Sequence, residues 1–218
     1  MKPPIHLQFK RKPEQDMIKA AKEFYTKVSA RRTVRTFAPD AIPNEVIDYA
    51  IAAAGTAPSG ANLQPWHFVV VRDPKIRQQI RQQAEANERE FYSERAPEEW
   101  LDVLRPLGTD EHKSFLDSAP CLIVVNLKKA VLWKGQPHKT YYPVESVGLA
   151  TGILITALHL AGVATLTYTP SPMGFLNDIL DRPASERPYM ILVCGYPADG
   201  TVVPRLTRLP LEEIVSRF

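Results

Sequence analysis

The segment from Pro143 to Leu160 constrains the fold more than any other part of the chain. It has helical length and is apolar nearly all round, so a helix here must be covered on most sides and we expect it to be central. Thr151, Thr156 and His159 interrupt the apolar run, which is short for a bilayer span. The segment therefore predicts a core helix rather than a membrane helix.

Strands are predicted to alternate with helices along the rest of the chain. Four short apolar or β-branched runs bounded by turn residues indicate strands: Trp66–Val71, Cys121–Asn126, Ala164–Tyr168 and Met190–Gly195. Helical spacing or a lack of helix breakers indicates helices at Asp16–Val28, from Pro43 to Gly55, at Lys75–Tyr92 and at Leu211–Ser216. This order favours an α/β or α+β architecture layered around a sheet.

Composition bounds the kind of protein. The 218 residues show no repeat and no flexible linker, which favours one large domain preceded by an amino-terminal arm and helix at residues 1–30. The net charge of +3 comes from interleaved charges, so nucleic-acid binding has little support. Cys121 and Cys194 stand in apolar runs, as buried unpaired cysteines do. With no signal-like amino terminus, we expect a soluble, cytoplasmic protein.

Glu88, Tyr92 and Lys113 form a candidate binding set for a free amino acid. Glu88 and Tyr92 lie four apart, on one face of the predicted helix, and Lys113 follows twenty-one positions after the tyrosine. A carboxylate, a phenol and an ammonium give each charge of a zwitterion a partner when it leaves water. In a helix rich in Glu and Arg, the same residues can also be a solvated face.

Three arginines at 31, 32 and 35 form a second candidate set. Guanidinium groups bind phosphate through paired hydrogen bonds, and in an extended segment Arg31, Thr33 and Arg35 share one side. A surface charge run is the alternative.

Two further stretches have the composition of ligand-contacting loops. Pro58-Ser59-Gly60-Ala61 joins a helix to a strand, and a glycine there allows close approach of the backbone to a flat ligand. Thr167, Tyr168 and Thr169 end a predicted strand with two threonine hydroxyls and a phenol. Turn chemistry alone explains the first stretch equally well, and threonine is ordinary at the end of a strand.

Several familiar motifs are missing. The chain has no dinucleotide fingerprint, no phosphate-binding Walker loop and no His-Glu-x-x-His, and its five histidines lack metal-ligand spacing, so we predict no metal site. Ser59 lacks the Gly-x-Ser-x-Gly setting of a hydrolase nucleophile. Hydrolysis and metal catalysis are therefore disfavoured.

Taken in order, five motifs resemble the flavin-dependent nitroreductase superfamily. They are R-R-T-V-R at 31–35, A-G-T-A-P-S-G-A at 54–61, P-W-H-F-V-V-V at 65–71, D-S-A-P at 117–120 and V-C-G-Y-P at 193–197. The resemblance runs from about Arg31 to the carboxyl end. Within the superfamily, the trio Glu88, Tyr92 and Lys113 is similar to the substrate lid of the branch that removes halogen from halotyrosines, and general nitroreductases lack it.

The resemblance implies a fold, a cofactor and a set of cofactor contacts. The fold is α+β with three layers, a central, mainly antiparallel sheet flanked by helices, and a domain-swapped homodimer. Residues 31–218 form the FMN domain, with FMN at the subunit interface and a substrate lid at about 85–117. The implied cofactor-binding residues are Arg31, Arg32, Thr33, Arg35, Pro58, Ser59, Gly60, Thr167, Tyr168, Thr169 and Arg208.

The implied activity is FMN-dependent reductive dehalogenation, for example of iodotyrosine to tyrosine and iodide. The Thr169 hydroxyl donates to flavin N5 as the catalytic group, and the substrate contacts Glu88, Tyr92, Lys113 and the backbone amide of Ala61. NAD(P)H or a reductase supplies electrons from outside. The alternatives are a general NAD(P)H-dependent nitroreductase or quinone reductase of the same fold, and a non-catalytic binding protein.

Overall fold

The computed structural model describes residues 3–218, which divide into two compact units. One unit ends at Arg31 and the other runs from Arg32 to Phe218. The first contains helix α1 (Glu14–Ser29), none of whose residues is buried. The structure starts this helix two residues before the predicted Asp16 and ends it one residue after Val28. Residues 1 and 2, part of the predicted arm, lie outside the described residues.

A four-stranded antiparallel sheet forms the frame of the larger unit. Its strands are β1 (Trp66–Val71), β2 (Cys121–Lys128), β5 (Ala164–Tyr168) and β6 (Glu186–Gly195), and their order across the sheet is β1-β2-β6-β5. Each neighbouring pair is antiparallel. The predicted antiparallel sheet is therefore confirmed, and all four of its strands fall on predicted segments.

The remaining elements are helices and one hairpin. The helices are α2 (Asn44–Ala54), α3 (Pro74–Glu90), α4 (Glu98–Leu104), α5 (Phe115–Ser118), α6 (Pro143–Leu160), α7 (Phe175–Ile179) and α8 (Leu211–Ile214), and the hairpin is β3 (Ala130–Trp133) with β4 (Gln136–Lys139). The sequence patterns missed the hairpin and the short helices α4, α5 and α7. Elements of four to seven residues show too few periods for a pattern to emerge.

Strand β2 shows how the layers form. Cys121, Ile123 and Val125 pack into one core with residues of α2 and α6, whereas Leu122 and Val124 pack into the other core with residues of α3, α5 and α7. Because successive side chains of a strand point to opposite faces, this continuous apolar run is buried on both sides of the sheet. The three predicted layers are thus present, and both cysteines are buried and free.

Helix α6 packs in the core along one face and is exposed along another. It is the one helix among residues 3–218 that is long and apolar enough to cross a membrane, with a mean hydropathy of 1.4. One face packs in the core through Val147, Ala150, Leu154 and Leu158. The opposite side of the helix leaves apolar side chains uncovered, with Leu149 53% exposed. The predicted core helix is therefore present, and one of its sides is left uncovered within this chain.

Candidate active site

Helix α3 brings Glu88 to a largely buried position, with 14% of its side chain exposed. The Asp73 side chain caps its amino terminus by accepting a hydrogen bond of 2.7 Å from the Lys75 amide. Ile80 and Ala84 are buried on the face that packs against the sheet. Glu88 follows Ala84 by one turn of four residues, so it continues this buried face beyond the last apolar residue. A charged group is thereby held at the edge of the core.

Tyr92 lies beyond the end of α3, in a single π-helical turn at Phe91–Arg95. The sequence predicted that the α-helix runs to Tyr92, and the structure instead ends it at Glu90. Isolated π turns recur at functional sites because they redirect side chains without breaking the helical path. Phe91 in this turn packs edge-on against both Tyr92 and Trp100 of α4.

Lys113 is fixed from the backbone by α3. Its amide donates a hydrogen bond of 2.7 Å to Oε1 of Glu85, and the same oxygen accepts one of 2.8 Å from Nε of Arg81. Arg81 also reaches Asp117 at 2.8 Å. Burial acts to raise the pKa of Glu85, but the hydrogen bonds from Arg81 and the Lys113 amide outweigh it and hold that pKa below its ordinary value.

The charged ends of Glu88 and Lys113 meet inside the protein. Nζ of Lys113 lies 3.2 Å from Oε2 of Glu88, and only 3% of the lysine side chain is exposed. The Tyr168 hydroxyl donates a hydrogen bond of 2.9 Å to Oε1 of the same carboxylate. Lys113 also donates to the Asp110 carbonyl oxygen and lies over the Tyr92 ring. Each buried charge thus has partners, as burial requires.

These side chains line a cavity of about 240 Å³. Seven of the predicted site residues reach it: Arg35, Glu88, Tyr92, Lys113, Thr167, Tyr168 and Thr169. An apolar wall that the sequence patterns did not assign faces them, made of Phe91, Trp100, Leu104, Leu107 and Phe115. The cavity therefore combines a charged corner formed by Glu88 and Lys113, hydroxyl groups at the end of β5 and the apolar wall. This combination suits an aromatic amino acid.

Burial raises the pKa of both tyrosines of the cavity above the ordinary value. It is the main cause that raises the pKa of Tyr168, and the negative charge of Glu88 raises it further. Burial also raises the pKa of Tyr92. Both hydroxyls therefore act as hydrogen-bond donors throughout the physiological pH range.

The predicted phosphate-binding arginines lie in several parts of the chain. Arg31 belongs to the amino-terminal unit, and Arg208 lies in the segment before α8. Arg32 donates to the Pro204 carbonyl oxygen, and Thr33 forms an isolated bridge with Thr165 of β5. Val34 is buried between residues that are only half-buried, as expected of an extended segment. Of the set, Arg35 lines the cavity.

The loop Pro58–Ala61 packs elsewhere. Among the described residues that line the cavity, none belongs to this loop. The Gly60 amide contacts the Ser146 hydroxyl of α6 at 3.4 Å, and a Cβ added at Gly60 would lie 2.5 Å from the Tyr141 carbonyl oxygen. Glycine at this position is therefore required by the close approach of two backbones.

The last residue of this loop and two residues just after it are strained. Ala61, Asn62 and Gln64 have backbone φ angles of 50°, 55° and 49°. These angles lie in the left-handed region, which residues other than glycine rarely adopt. Such conformations persist only where the surrounding structure enforces them, and they cluster at ligand-binding sites. Sequence patterns did not predict this strain, because alanine and glutamine carry no preference for the left-handed region.

The fold and this site define a class of protein. A model of the nitroreductase family matches residues 28–196, and the chain belongs to that family. It is 54% identical over 198 residues to the iodotyrosine deiodinase of Haliscomenobacter hydrossis, covering 90% of this chain and 88% of that protein. It is 42% identical over 205 residues to iodotyrosine deiodinase 1 of Homo sapiens, covering 93% of this chain and 71% of that one.

Solved structures agree with these relatives. Oxidized iodotyrosine deiodinase bound to FMN and 3-iodo-L-tyrosine superposes with a TM-score of 0.75 at 34% identity, covering 89% of this chain and 98% of that one. A nitroreductase with bound FMN from Bacteroides fragilis superposes with a TM-score of 0.65 at 18% identity, covering 90% and 99% of the two chains, which shows the shared fold alone.

Proposed function

We propose that this protein catalyses the FMN-dependent reductive removal of halide from a halotyrosine to give tyrosine. The observation that carries the proposal is the buried pair of Glu88 and Lys113, which shares one cavity with Tyr92, Arg35 and Thr169. Both relatives described above are named for action on iodotyrosine. The net reaction replaces the halide on the ring carbon with hydrogen and consumes two electrons and one proton.

The charged corner recognises the amino-acid end of the substrate. The substrate ammonium binds Glu88, its carboxylate binds Lys113, and the neutral Tyr92 hydroxyl donates a further hydrogen bond. A zwitterion that inserts between Glu88 and Lys113 gives each of them a new partner of opposite charge, so no charge is left alone in the protein interior. A simple phenol or nitroarene offers no such exchange.

The aromatic side chains of the apolar wall cover the ring of the substrate. Phe91, Trp100 and Phe115 lie on the same cavity as the charged corner, and their rings would exclude water from the reacting end once a substrate is bound. We propose that the segment at about 85–117, which carries Glu88, Tyr92, Trp100 and Lys113, acts as the substrate lid. The backbone amide of Ala61 is the proposed donor to the substrate phenolate.

The donor groups on the cavity fit FMN. Arg35 supplies a guanidinium suited to a phosphate, and Thr167 and Thr169 supply hydroxyls at the end of β5. When bound, FMN supplies the two electrons of the reaction. Thr169 would donate to flavin N5 as the catalytic residue, and Arg31, Arg32, Thr33 and Arg208 would complete the phosphate site. Pro58, Ser59 and Gly60 would line the flavin ring.

We further propose that the functional unit is a homodimer. The uncovered apolar side of α6, with Leu149 and Leu160 exposed, suits a second copy of the chain. The loop Pro58–Ala61 of one copy would then meet the cavity of the other. An external donor, either NAD(P)H or a reductase, delivers electrons, and the two free cysteines fit a cytoplasmic location.

Anaerobic turnover tests the proposed reaction. The purified, FMN-loaded protein is mixed with diiodotyrosine and dithionite, and tyrosine formation is followed against a protein-free control. We expect rapid, saturable formation of tyrosine. Absence of tyrosine, with nitroaromatics or quinones reduced instead, would move the protein to the general reductases of its family and leave the FMN site in place.

A further inference from the structure

Tyr168 faces away from the two threonines that flank it. Thr167 and Thr169 are exposed on one side of β5, whereas Leu166 is buried on the other side, in the core that includes α3 residues. Tyr168 is half-buried against that same core and packs edge-on against Phe115, with the ring centroids 5.4 Å apart. All three residues line the cavity, but alternation along β5 directs the Tyr168 side chain to the opposite face of the strand from Thr167.

The Tyr168 hydroxyl is directed at the substrate clamp, the set formed by Glu88, Tyr92 and Lys113. It donates to Oε1 of Glu88 at 2.9 Å, and Nζ of Lys113 takes the other oxygen, Oε2, at 3.2 Å. Nζ of Lys113 also lies 5.7 Å from the centre of the Tyr168 ring. One residue of the sheet thus contacts both charges that are brought together on the opposite side of the cavity.

We infer that Tyr168 positions Glu88 and thereby selects for the amino-acid end of the ligand. Its hydroxyl holds one carboxylate oxygen of Glu88 so that the other is presented to the ligand ammonium. The inference rests on the proposed function, because it concerns how a halotyrosine is recognised. It assigns Tyr168 to the substrate rather than to the flavin, where the sequence resemblance had placed it.

The exchange of partners explains why a second donor is needed. When a zwitterion enters, Lys113 turns to the ligand carboxylate and the ammonium takes its place at Oε2 of Glu88. The hydrogen bond from Tyr168 to Oε1 is unaffected, so the carboxylate keeps its orientation during the exchange. Without that donor, Oε1 would be left with an unmet hydrogen-bonding capacity in a cavity that excludes water.

Tyr168→Phe tests the inference because it removes the hydroxyl and keeps the ring that packs on Phe115. Calorimetric titration of the FMN-loaded protein with 3-iodotyrosine and with 2-iodophenol compares ligands with and without the zwitterion. Since a hydrogen bond to a charged group is lost, we expect iodotyrosine to bind roughly tenfold more weakly and iodophenol to bind as before. Tyr189→Phe, the same change on β6 away from the cavity, should alter neither affinity.

A second variant shows whether Tyr168 acts through Glu88. In a Glu88→Gln background the charge to be positioned is gone, so adding Tyr168→Phe should weaken iodotyrosine binding by no more than about twofold. An equal tenfold loss in both backgrounds, or a loss shared by iodophenol, overturns the inference in favour of a packing role. Loss of bound FMN in Tyr168→Phe overturns it in favour of a cofactor role.

The wild-type titration separates this inference from the proposed function. If wild-type protein binds iodotyrosine tightly and Tyr168→Phe binds it equally well, the positioning role is wrong and the dehalogenase proposal stands. If wild-type protein binds no iodotyrosine, both are wrong.

Discussion

The clamp and the loop Pro58–Ala61 contrast sharply within one chain. Glu88, Tyr92 and Lys113 come from α3, a π turn and the segment before α5, yet they converge on one cavity with their charges paired. Among the described residues that line the cavity, none belongs to the loop. Ala61 of the loop nevertheless has a left-handed conformation, and Gly60 lies close to the Tyr141 backbone. The groups proposed to bind the amino-acid end of the ligand therefore meet within one chain, whereas the loop is proposed to reach a cavity only in a second copy of the chain.

Lys113→Ala has the largest expected effect, because it removes one of the two charges of the clamp. It leaves Glu88 buried without its cation and the ligand carboxylate without a partner, which costs roughly 3–5 kcal/mol. We expect 3-iodotyrosine to bind more than about a hundredfold more weakly in calorimetric titration. Lys134→Ala, on the exposed hairpin, is the matched control, and Lys113→Gln keeps most of the side chain and its polarity should the alanine variant fold poorly. An unchanged dissociation constant would show that Lys113 is not part of the clamp.

Gly60→Ala tests the loop Pro58–Ala61, the second of the two regions compared. The added Cβ would lie 2.5 Å from the Tyr141 carbonyl oxygen, and neither backbone can yield without moving the loop. Such overpacking costs about 1–3 kcal/mol, so we expect FMN affinity to fall on the order of tenfold, as measured by fluorescence titration. Gly174→Ala is the control, since nothing lies within 4 Å of its added Cβ. Equal FMN affinity in the two variants would remove the loop from the cofactor site.

A mixed dimer tests whether the clamp and the loop Pro58–Ala61 that form one site come from different chains. One subunit carries Gly60→Ala and the other carries Lys113→Ala, with two affinity tags to isolate the hybrid. If the loop of one chain completes the cavity of the other, one site has both defects and the other is intact, so about half of the wild-type activity remains. If each site forms within one chain, both sites are defective and the hybrid is no more active than the single variants.

Glu85→Gln has the smallest expected effect, because it only loosens the anchor of Lys113. The charge-assisted hydrogen bonds at Glu85 hold its pKa below the ordinary value of 4.5 in the folded state. Their stabilisation is therefore complete above that pH and is lost as the pH falls through the lowered pKa. We expect about 1 kcal/mol lower unfolding free energy at pH 7, and a smaller difference from wild type at pH 4, by urea denaturation.

Glu94→Gln, an exposed position on the π turn, serves as the control for Glu85→Gln. A stability difference of the same size at both pH values would mean that Glu85 acts through packing and not through its charge.

The four strands of the main sheet were predicted from the sequence. β-branched runs such as Trp66–Val71 and Cys121–Asn126 located strands, because continuous apolar runs of that length have few other ways to be buried. Helix α6 shows the limit of the same reasoning, since apolar composition predicts burial without saying whether the covering surface belongs to the same chain. The hairpin of β3 and β4 escaped prediction because its strands are short and largely exposed.

For the site, the identity of the charged groups was evident from residue types and spacing. Tyr168 was grouped with Thr167 and Thr169 because the three are adjacent, although alternation along a strand turns the middle side chain to the other face. That it meets Glu88, eighty positions away, depends on how α3 packs over the sheet.

The sequence by itself determined the local elements and the chemical groups available: four strands, the long apolar helix, and a carboxylate, a phenol and an ammonium suited to a zwitterion. Only the tertiary structure decided that Glu88 and Lys113 pair in the interior, that Tyr168 holds the same carboxylate, and that the loop Pro58–Ala61 packs against Tyr141 instead. Periodicity and propensity act over a few neighbouring residues, whereas these contacts join distant segments whose meeting depends on the packing of the whole unit.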